Sequence, residues 1–154
     1  MLTINIIAVG KIKEKFFADA LSEDSKRLSK FCKLNIIEIK DEPDTEPVTA
    51  LEKEGAAILA KIPKNSYIFA LCIEGEQYSG ENFAKVIEKI QVDGISNITF
   101  IIGGSLGLAD KVKSCANMHL SFSKMTFPHQ LARVMLVEQI YRAFKILNNE
   151  PYHK

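Results

Sequence analysis

The segment with the most chemical options is Gly103-Gly104-Ser105-Leu106-Gly107, which follows the apolar run Ile98 to Ile102. Glycines allow backbone N–H groups to approach a ligand closely, and the carboxyl edge of a parallel strand is where such ligands sit. The same five residues match G-x-S-x-G. In that reading Ser105 is a nucleophile on a strained strand-to-helix turn, with Asp110 or Glu138 as acid and His129 or His153 as base. A third reading leaves the glycines serving only the turn. The loop lacks the Gly-Lys-Ser/Thr of a P-loop and does not match G-x-G-x-x-G, so nucleotide-phosphate binding has no sharp support.

Two further candidates lie toward the C-terminus. Tyr152, His153 and Lys154 place a stacking ring, a titratable base and a phosphate-seeking cation side by side, although chain ends commonly fray without a role. Ahead of them, Thr126 before Phe127-Pro128 reads as the start of a long helix, with threonine as its cap. That helix carries Val134, Val137, Tyr141 and Phe144 along one line and Leu131 and Met135 toward another. One stripe serves the chain's own sheet; the second predicts burial against a partner, most simply a second copy in a two-fold homodimer. Glu138 and Arg142 stand four apart and are spaced for a helix-surface ion pair. Cys115 and His119 are also four apart, but no second pair completes a tetrahedral site, and no metal is expected.

These residues need elements to position them. Four short runs rich in β-branched residues, Thr3 to Val9, Leu34 to Ile39, Tyr67 to Ile73 and Ile98 to Ile102, are nearly continuous in apolar character, as strands covered on both faces must be. His119 to Phe122 is a weaker fifth. Between them, Phe16, Phe17, Ala20, Leu21 and Leu28 mark one amphipathic helix. Leu51, Ala56, Ile58, Leu59 and Ile62 mark a second, ended by Pro63, and Phe83, Val86, Ile87 and Ile90 mark a third, starting at Ser79 to Glu81 and stopping before Gly94. Strand and helix in regular succession predict an α/β fold with a parallel sheet and helices on both faces. The stretch Glu38 to Glu54 holds seven acids against two lysines and reads as a solvated loop leading into a helix.

Composition bounds the rest. With 154 residues, 47% hydrophobic, 25% charged and a net charge of +1, the chain is expected to form a single domain over residues 1–154. A domain of this size buries roughly 68–70% of its unfolded surface and needs no disulfide to hold a core. The near-zero charge excludes a polycation that coats nucleic acid by bulk electrostatics. Cys32, Cys72 and Cys115 form no CxxC pair and read as reduced thiols of a cytoplasmic protein. The N-terminal run is too short for a signal-peptide core, and no stretch approaches the ~18 apolar residues of a membrane span.

Taken together, several motifs resemble one family. They are Val9-Gly10-Lys11, Phe100-Ile101-Ile102-Gly103-Gly104 with Gly107, the run from Leu120 to Gln130, Glu138-Gln139-Ile140-Tyr141-Arg142-Ala143, and terminal Pro151-Tyr152-His153-Lys154. In this order and at this length they resemble the RlmH family, small SPOUT-class methyltransferases acting on N3 of a pseudouridine in large-subunit ribosomal RNA. The resemblance implies an α/β fold with a C-terminal trefoil knot, an exception to the unknotted-chain rule. It also implies a homodimer and S-adenosylmethionine bound in the knot. Leu71, Gly103, Phe122, Ser123, Lys124, Met125, Thr126 and Phe127 are then expected to bind the cofactor. His153 and Tyr152 are expected at the reacting base, and Arg142, Lys154 and Glu138 at the RNA. Ser105 loses any need to be a nucleophile. One departure is Leu71-Cys72-Ile73-Glu74, where the family more often has an acid directly after the leucine.

Overall fold

The computed structural model describes residues 1–43 and 45–151. The elements run β1 (Thr3–Val9), α1 (Lys15–Leu28), β2 (Lys33–Ile39), α2 (Pro47–Lys61), β3 (Ser66–Glu76), α3 (Gly80–Val92), β4 (Asn97–Ile102), α4 (Asp110–Cys115), β5 (Met118–Leu120) and α5 (His129–Leu147). The strands form one sheet in the order β2-β1-β4-β3-β5, and every pairing is parallel. The expected α/β architecture with helices on both faces is therefore present.

The apolar runs are continuous because each strand feeds two cores. Ile4, Ile6 and Ala8 of β1 pack with α1, α3 and α5 through Leu21, Leu28, Ile87, Leu136 and Ile140. Ile7 and Val9 point the other way, toward Ile58 of α2 and Val112 of α4. Alternation along a strand sends neighbours to opposite faces, so a strand covered on both sides must be apolar throughout. Asn5 is the exception in β1. It is 3% exposed, and its side-chain oxygen accepts from Asn35 Nδ2 at 3.0 Å, which satisfies a polar group in the core.

Several boundaries follow from local chemistry. Ser79 caps α3, its hydroxyl accepting from Asn82 N at 3.1 Å. Pro47 opens α2 from within its first turn, where a missing N–H costs nothing. The start of α5 departs from expectation: Pro128 is the N-cap, no side chain caps the helix, and it begins at His129. Thr126 lies in irregular backbone before it, because the segment is held by other bonds described below. The first helix also differs. Phe16 is 63% exposed while Leu21 and Leu28 are buried, so the apolar stripe of α1 begins later than its sequence suggests.

The acid-rich stretch is less solvated than its composition suggests. Glu38, next to last in β2, is the ion-pair partner of a buried arginine at 2.7 Å. Glu54 is 2% exposed, and its carboxylate accepts from the backbone of Glu42 at 3.0 Å. Two of the acids thus tie the stretch to the fold.

Candidate active site

A cavity of about 740 Å³ opens at the carboxyl ends of β3, β4 and β5, lined by residues 71–74, 102–108, 120–123 and 125–129 with Lys113 and Ala132. The carboxyl half of β3 and the loops after β4 and β5, three adjacent strands, therefore converge on it. The glycine loop forms its floor as a closed turn: Gly107 N donates to Gly104 O at 3.0 Å, and Gly107 takes φ +76. A Cβ on Gly103 would run into the Gly107 carbonyl group, so glycine is required for the turn and keeps the floor free of side chains. Ser105 is exposed within this turn, and α4 begins only at Asp110. A nucleophile elbow places its serine directly between strand and helix, and that arrangement is absent here.

The opposite wall is the connection from β5 to α5. As its backbone leaves the sheet, its polar groups are satisfied by one last bond to β3 and then by side chains. Ser121 N donates to Glu76 O at 2.8 Å, the Ser121 hydroxyl donates to Ser123 O at 3.0 Å, and Met125 N donates to Ser123 Oγ at 3.0 Å. Local serine bonds of this kind stabilise turns at the expense of regular structure, which explains why α5 starts late. Leu71, Gly103, Phe122, Ser123, Met125, Thr126 and Phe127 all face the cavity, whereas Lys124 is not among its lining residues. Lys124 is exposed.

The rim is charged. Lys113 Nζ donates to Glu74 Oε1 at 2.8 Å, and both residues line the cavity. This hydrogen bond holds the Glu74 carboxyl below its ordinary range and raises the Lys113 ammonium. Burial, with the Glu74 charge second, pushes the Cys72 thiol up. The acid absent directly after Leu71 thus has a counterpart three places on from that leucine.

Three residues at the start of α5 clasp the loop after β1, and they escaped attention as a group in the sequence. Arg133 is 1% exposed; its Nη1 donates to Glu38 Oε2 at 2.7 Å and its Nη2 to Gly10 O at 3.1 Å. The Gln130 side-chain oxygen accepts from Lys13 N at 2.8 Å and Glu14 N at 3.3 Å. His129 Nε2 lies 3.2 Å from the point a Cβ on Gly10 would occupy, and Gly10 takes φ +93. One signal was available: position 133 shares a helix face with Leu136, Val137 and Ile140, and a charge on a buried face must find a partner.

Glu138 and Arg142 stand elsewhere. They form the expected pair, Arg142 Nε to Glu138 Oε1 at 3.5 Å. Asp24 of α1 adjoins Glu138; burial foremost, and then the Glu138 charge, raises its carboxyl above the ordinary range. Thirteen residues of helix separate Arg142 from His129, about 20 Å at 1.5 Å per residue. A single chain does not bring this pair to the cavity. Tyr152, His153 and Lys154 lie outside the described residues. The far end of α5 packs on the opposite side of the sheet edge: the Phe144 and Phe31 rings stack at 5.7 Å, with Phe31 just ahead of β2. Among the described residues no three His, Cys, Asp or Glu side chains gather to hold a metal, and no helix is long and apolar enough to cross a membrane.

Comparison with known proteins places this geometry. Ribosomal RNA large subunit methyltransferase H of Clostridium botulinum strain 657 is 57% identical over 159 residues, covering 99% of this chain and all of that one. Ribosomal RNA large subunit methyltransferase H 1 of Clostridium perfringens is 54% identical over the same span. Among solved structures, a probable methylase family protein from Haemophilus influenzae covers 98% of this chain and 70% of its own, with TM-score 0.58 and 12% identity. A probable methyltransferase from Bordetella pertussis covers 91% and 93%, with TM-score 0.60 and 11% identity. The latter two share the fold. The family described as "Predicted SPOUT methyltransferase" matches residues 2–153, and with that span and these relatives the chain belongs to the SPOUT methyltransferase family.

Proposed function

We propose that this SPOUT enzyme uses S-adenosylmethionine to methylate N3 of a pseudouridine in large-subunit ribosomal RNA, in the cytoplasm and on the assembled ribosome. The observation that carries the reading is the end-to-end likeness to proteins named ribosomal RNA large subunit methyltransferase H. The cavity suits the cofactor. Its volume falls in the range of roughly 300–1,000 Å³ typical of small-molecule sites. Leu71, Phe122 and Phe127 offer apolar walls, while the backbone of the glycine floor and of the serine-braced wall offers polar groups. Leu71, Gly103 and the run 122–127 would hold it, Lys124 contributing at the edge. The same reading carries the trefoil passage, with the segment after β5 threading the loop that follows β4.

Bound there, the cofactor would supply a methyl group on a sulfonium centre. The chain's own task is to hold the N3 nitrogen in line with that methyl and to remove the imide proton. His153 would accept the proton and Tyr152 would pack on the nucleoside. Arg142 and Lys154 would contact RNA phosphates, with Glu138 orienting Arg142.

Chain geometry favours a site shared between two copies. Helix α5 has 19 residues, about 28 Å from its cavity end to its far end. The three residues after Pro151 extend at most about 11 Å. A tail leaving that far end would serve a partner's cavity. The second stripe of α5 supports such pairing: Met135 and Gln139 line a smaller cavity of 250 Å³ with Tyr78, Phe83 and Phe122, beside the cofactor site. This surface would take the homodimer partner.

The test has two arms. Titration with S-adenosylhomocysteine is expected to show binding, and none at high micromolar ligand would refute the cofactor assignment. For the shared site, a Gly103→Ala chain and a chain lacking Tyr152 to Lys154 are each expected to be severely impaired on ribosomal subunits when S-adenosylmethionine is limiting. Mixed and allowed to exchange, they are expected to recover activity through heterodimers with one intact site. Failure to recover in heterodimers shown to have formed would place the tail at its own cavity or nowhere.

A further inference from the structure

The loop between β1 and α1 is exposed and basic, and it is unusually well secured. Its residues Lys11 and Lys13 are solvent-exposed. Neither makes an ion pair among the described residues, whereas Lys15 is engaged by Asp19 at 2.7 Å. Exposed lysines are common, and alone they argue nothing. Here, however, three residues at the start of α5 pin the loop's backbone. Arg133 holds the Gly10 carbonyl, Gln130 holds the Lys13 and Glu14 amides, and the His129 ring fills the space left by Gly10's missing side chain.

Burying a guanidinium is costly, and here only Nη1 and Nη2 are bonded while the buried Nε has no hydrogen-bond partner, so the arginine's place in this clasp is set by the loop it holds. What it secures is a fixed relation to the methyl-transfer cavity, because the clasping His129 and Ala132, the neighbour of Arg133, line that cavity. The loop sits at the same carboxyl edge of the sheet as the cavity floor. Phe16 follows one turn later, exposed and with its ring 4.5 Å from Phe17. An aromatic surface beside fixed cations suits a single-stranded or looped RNA, whose phosphates attract lysine and whose splayed bases stack on rings. The acids Asp41 and Glu42 belong to the loop that leads to α2, where Asp41 Oδ1 lies 3.6 Å from the point a Cβ on Gly104 would occupy, beside the cavity floor. Within the loop itself, only the exposed Glu14 opposes the two lysines.

We propose that Lys11 and Lys13, on a loop clasped by His129, Gln130 and Arg133, are phosphate contacts that seat the RNA substrate over the cofactor cavity. The proposal rests on the reading of the protein as a ribosomal RNA methyltransferase and deepens it. The chemistry recognised is the RNA backbone, so the site positions the substrate without reading its sequence.

The experiment measures binding of purified large ribosomal subunits, across a salt series, by wild type, Lys11→Ala/Lys13→Ala and Lys11→Arg/Lys13→Arg. S-adenosylhomocysteine titration and methylation run in parallel. The alanine pair is expected to bind subunits about tenfold more weakly, with the salt slope shallower by about two. Its affinity for S-adenosylhomocysteine should match wild type, and the arginine pair should bind subunits as wild type does. An alanine pair with wild-type affinity and slope overturns the loop proposal, and methylation by wild type then leaves the parent reading intact. Subunit binding that depends on the lysines without methylation by wild type supports the loop and sinks the parent reading. Absence of subunit binding by wild type removes both.

Discussion

At Gly103 the side chain that is missing matters most. The floor of the cavity closes because Gly103 and Gly107 touch backbone to backbone, and an added methyl group has only the Gly107 carbonyl group to displace. Gly103→Ala is therefore expected to open the turn and weaken S-adenosylhomocysteine binding by about tenfold or more, equivalent to at least ~1.4 kcal/mol. Ser105, two residues on, is exposed at the tip of the same turn. Ser105→Ala should change kcat/KM by about twofold or less, as for other surface substitutions. Calorimetric titration checks the first and methylation kinetics the second. Abolition of activity in Ser105→Ala with the cofactor still bound would revive the serine as a reacting group. Sequence pattern alone left cradle, nucleophile and turn unresolved for these five residues. The distinction depended on where α4 begins, and the fold places that start at Asp110, past the glycine turn.

Helix α5 carries most of what was and was not legible at the level of elements. Its two apolar stripes were readable, since a 3.6-residue period is local information. Its start was not, because the serine bonds of residues 121–125 outcompete the capping that Thr126 offers. Nor was the Arg133–Glu38 pair, whose members are separated by 95 residues; such a partnership exists only once β2 and α5 have been brought together. The packing of α5 on α1 yields a prediction of its own. Asp24 is 8% exposed, with Glu138 beside it and Arg27 Nη1 at 3.6 Å. Burial first, then Glu138, raises its pKa, outweighing the opposite pull of Arg27. A carboxyl raised in the folded state contributes stability below its unfolded pKa of ~3.9 and loses it as pH rises through the folded value. At neutral pH the charged form is a burden. Asp24→Asn should therefore melt higher than wild type at pH 7.5, and the difference should close as pH falls and Asp24 takes up its proton. Thermal melts at several pH values check this, and a variant less stable at pH 7.5 than at pH 4, relative to wild type, would reverse the assignment.

Charge at the scale of the whole molecule looks different in three dimensions. In sequence, the seven acids between Glu38 and Glu54 and the five cations from Lys124 to Lys154, set against Glu138 and Glu150, suggest opposite poles. In the fold they neutralise each other and themselves: Arg133 is consumed by Glu38 at 2.7 Å, Arg142 pairs with Glu138 at 3.5 Å, and Lys145 pairs with Glu150 at 3.1 Å. Among the described residues from Met118 on, Lys124 is the one cation outside these pairs. With a net charge of +1 over 154 residues, counterion release from so few phosphate contacts gives weak, salt-sensitive binding. Recognition must then come from shape, with folded RNA and neighbouring ribosomal protein supplying surface that a free stem-loop lacks. Methylation of assembled large subunits is accordingly expected to proceed far faster than methylation of a naked RNA fragment carrying the same target, at equal concentration and ionic strength. Lowering the salt should narrow the gap, because electrostatic attraction then compensates for missing surface. Equal rates on both substrates at physiological salt would mean that the nucleotide and its immediate strand suffice.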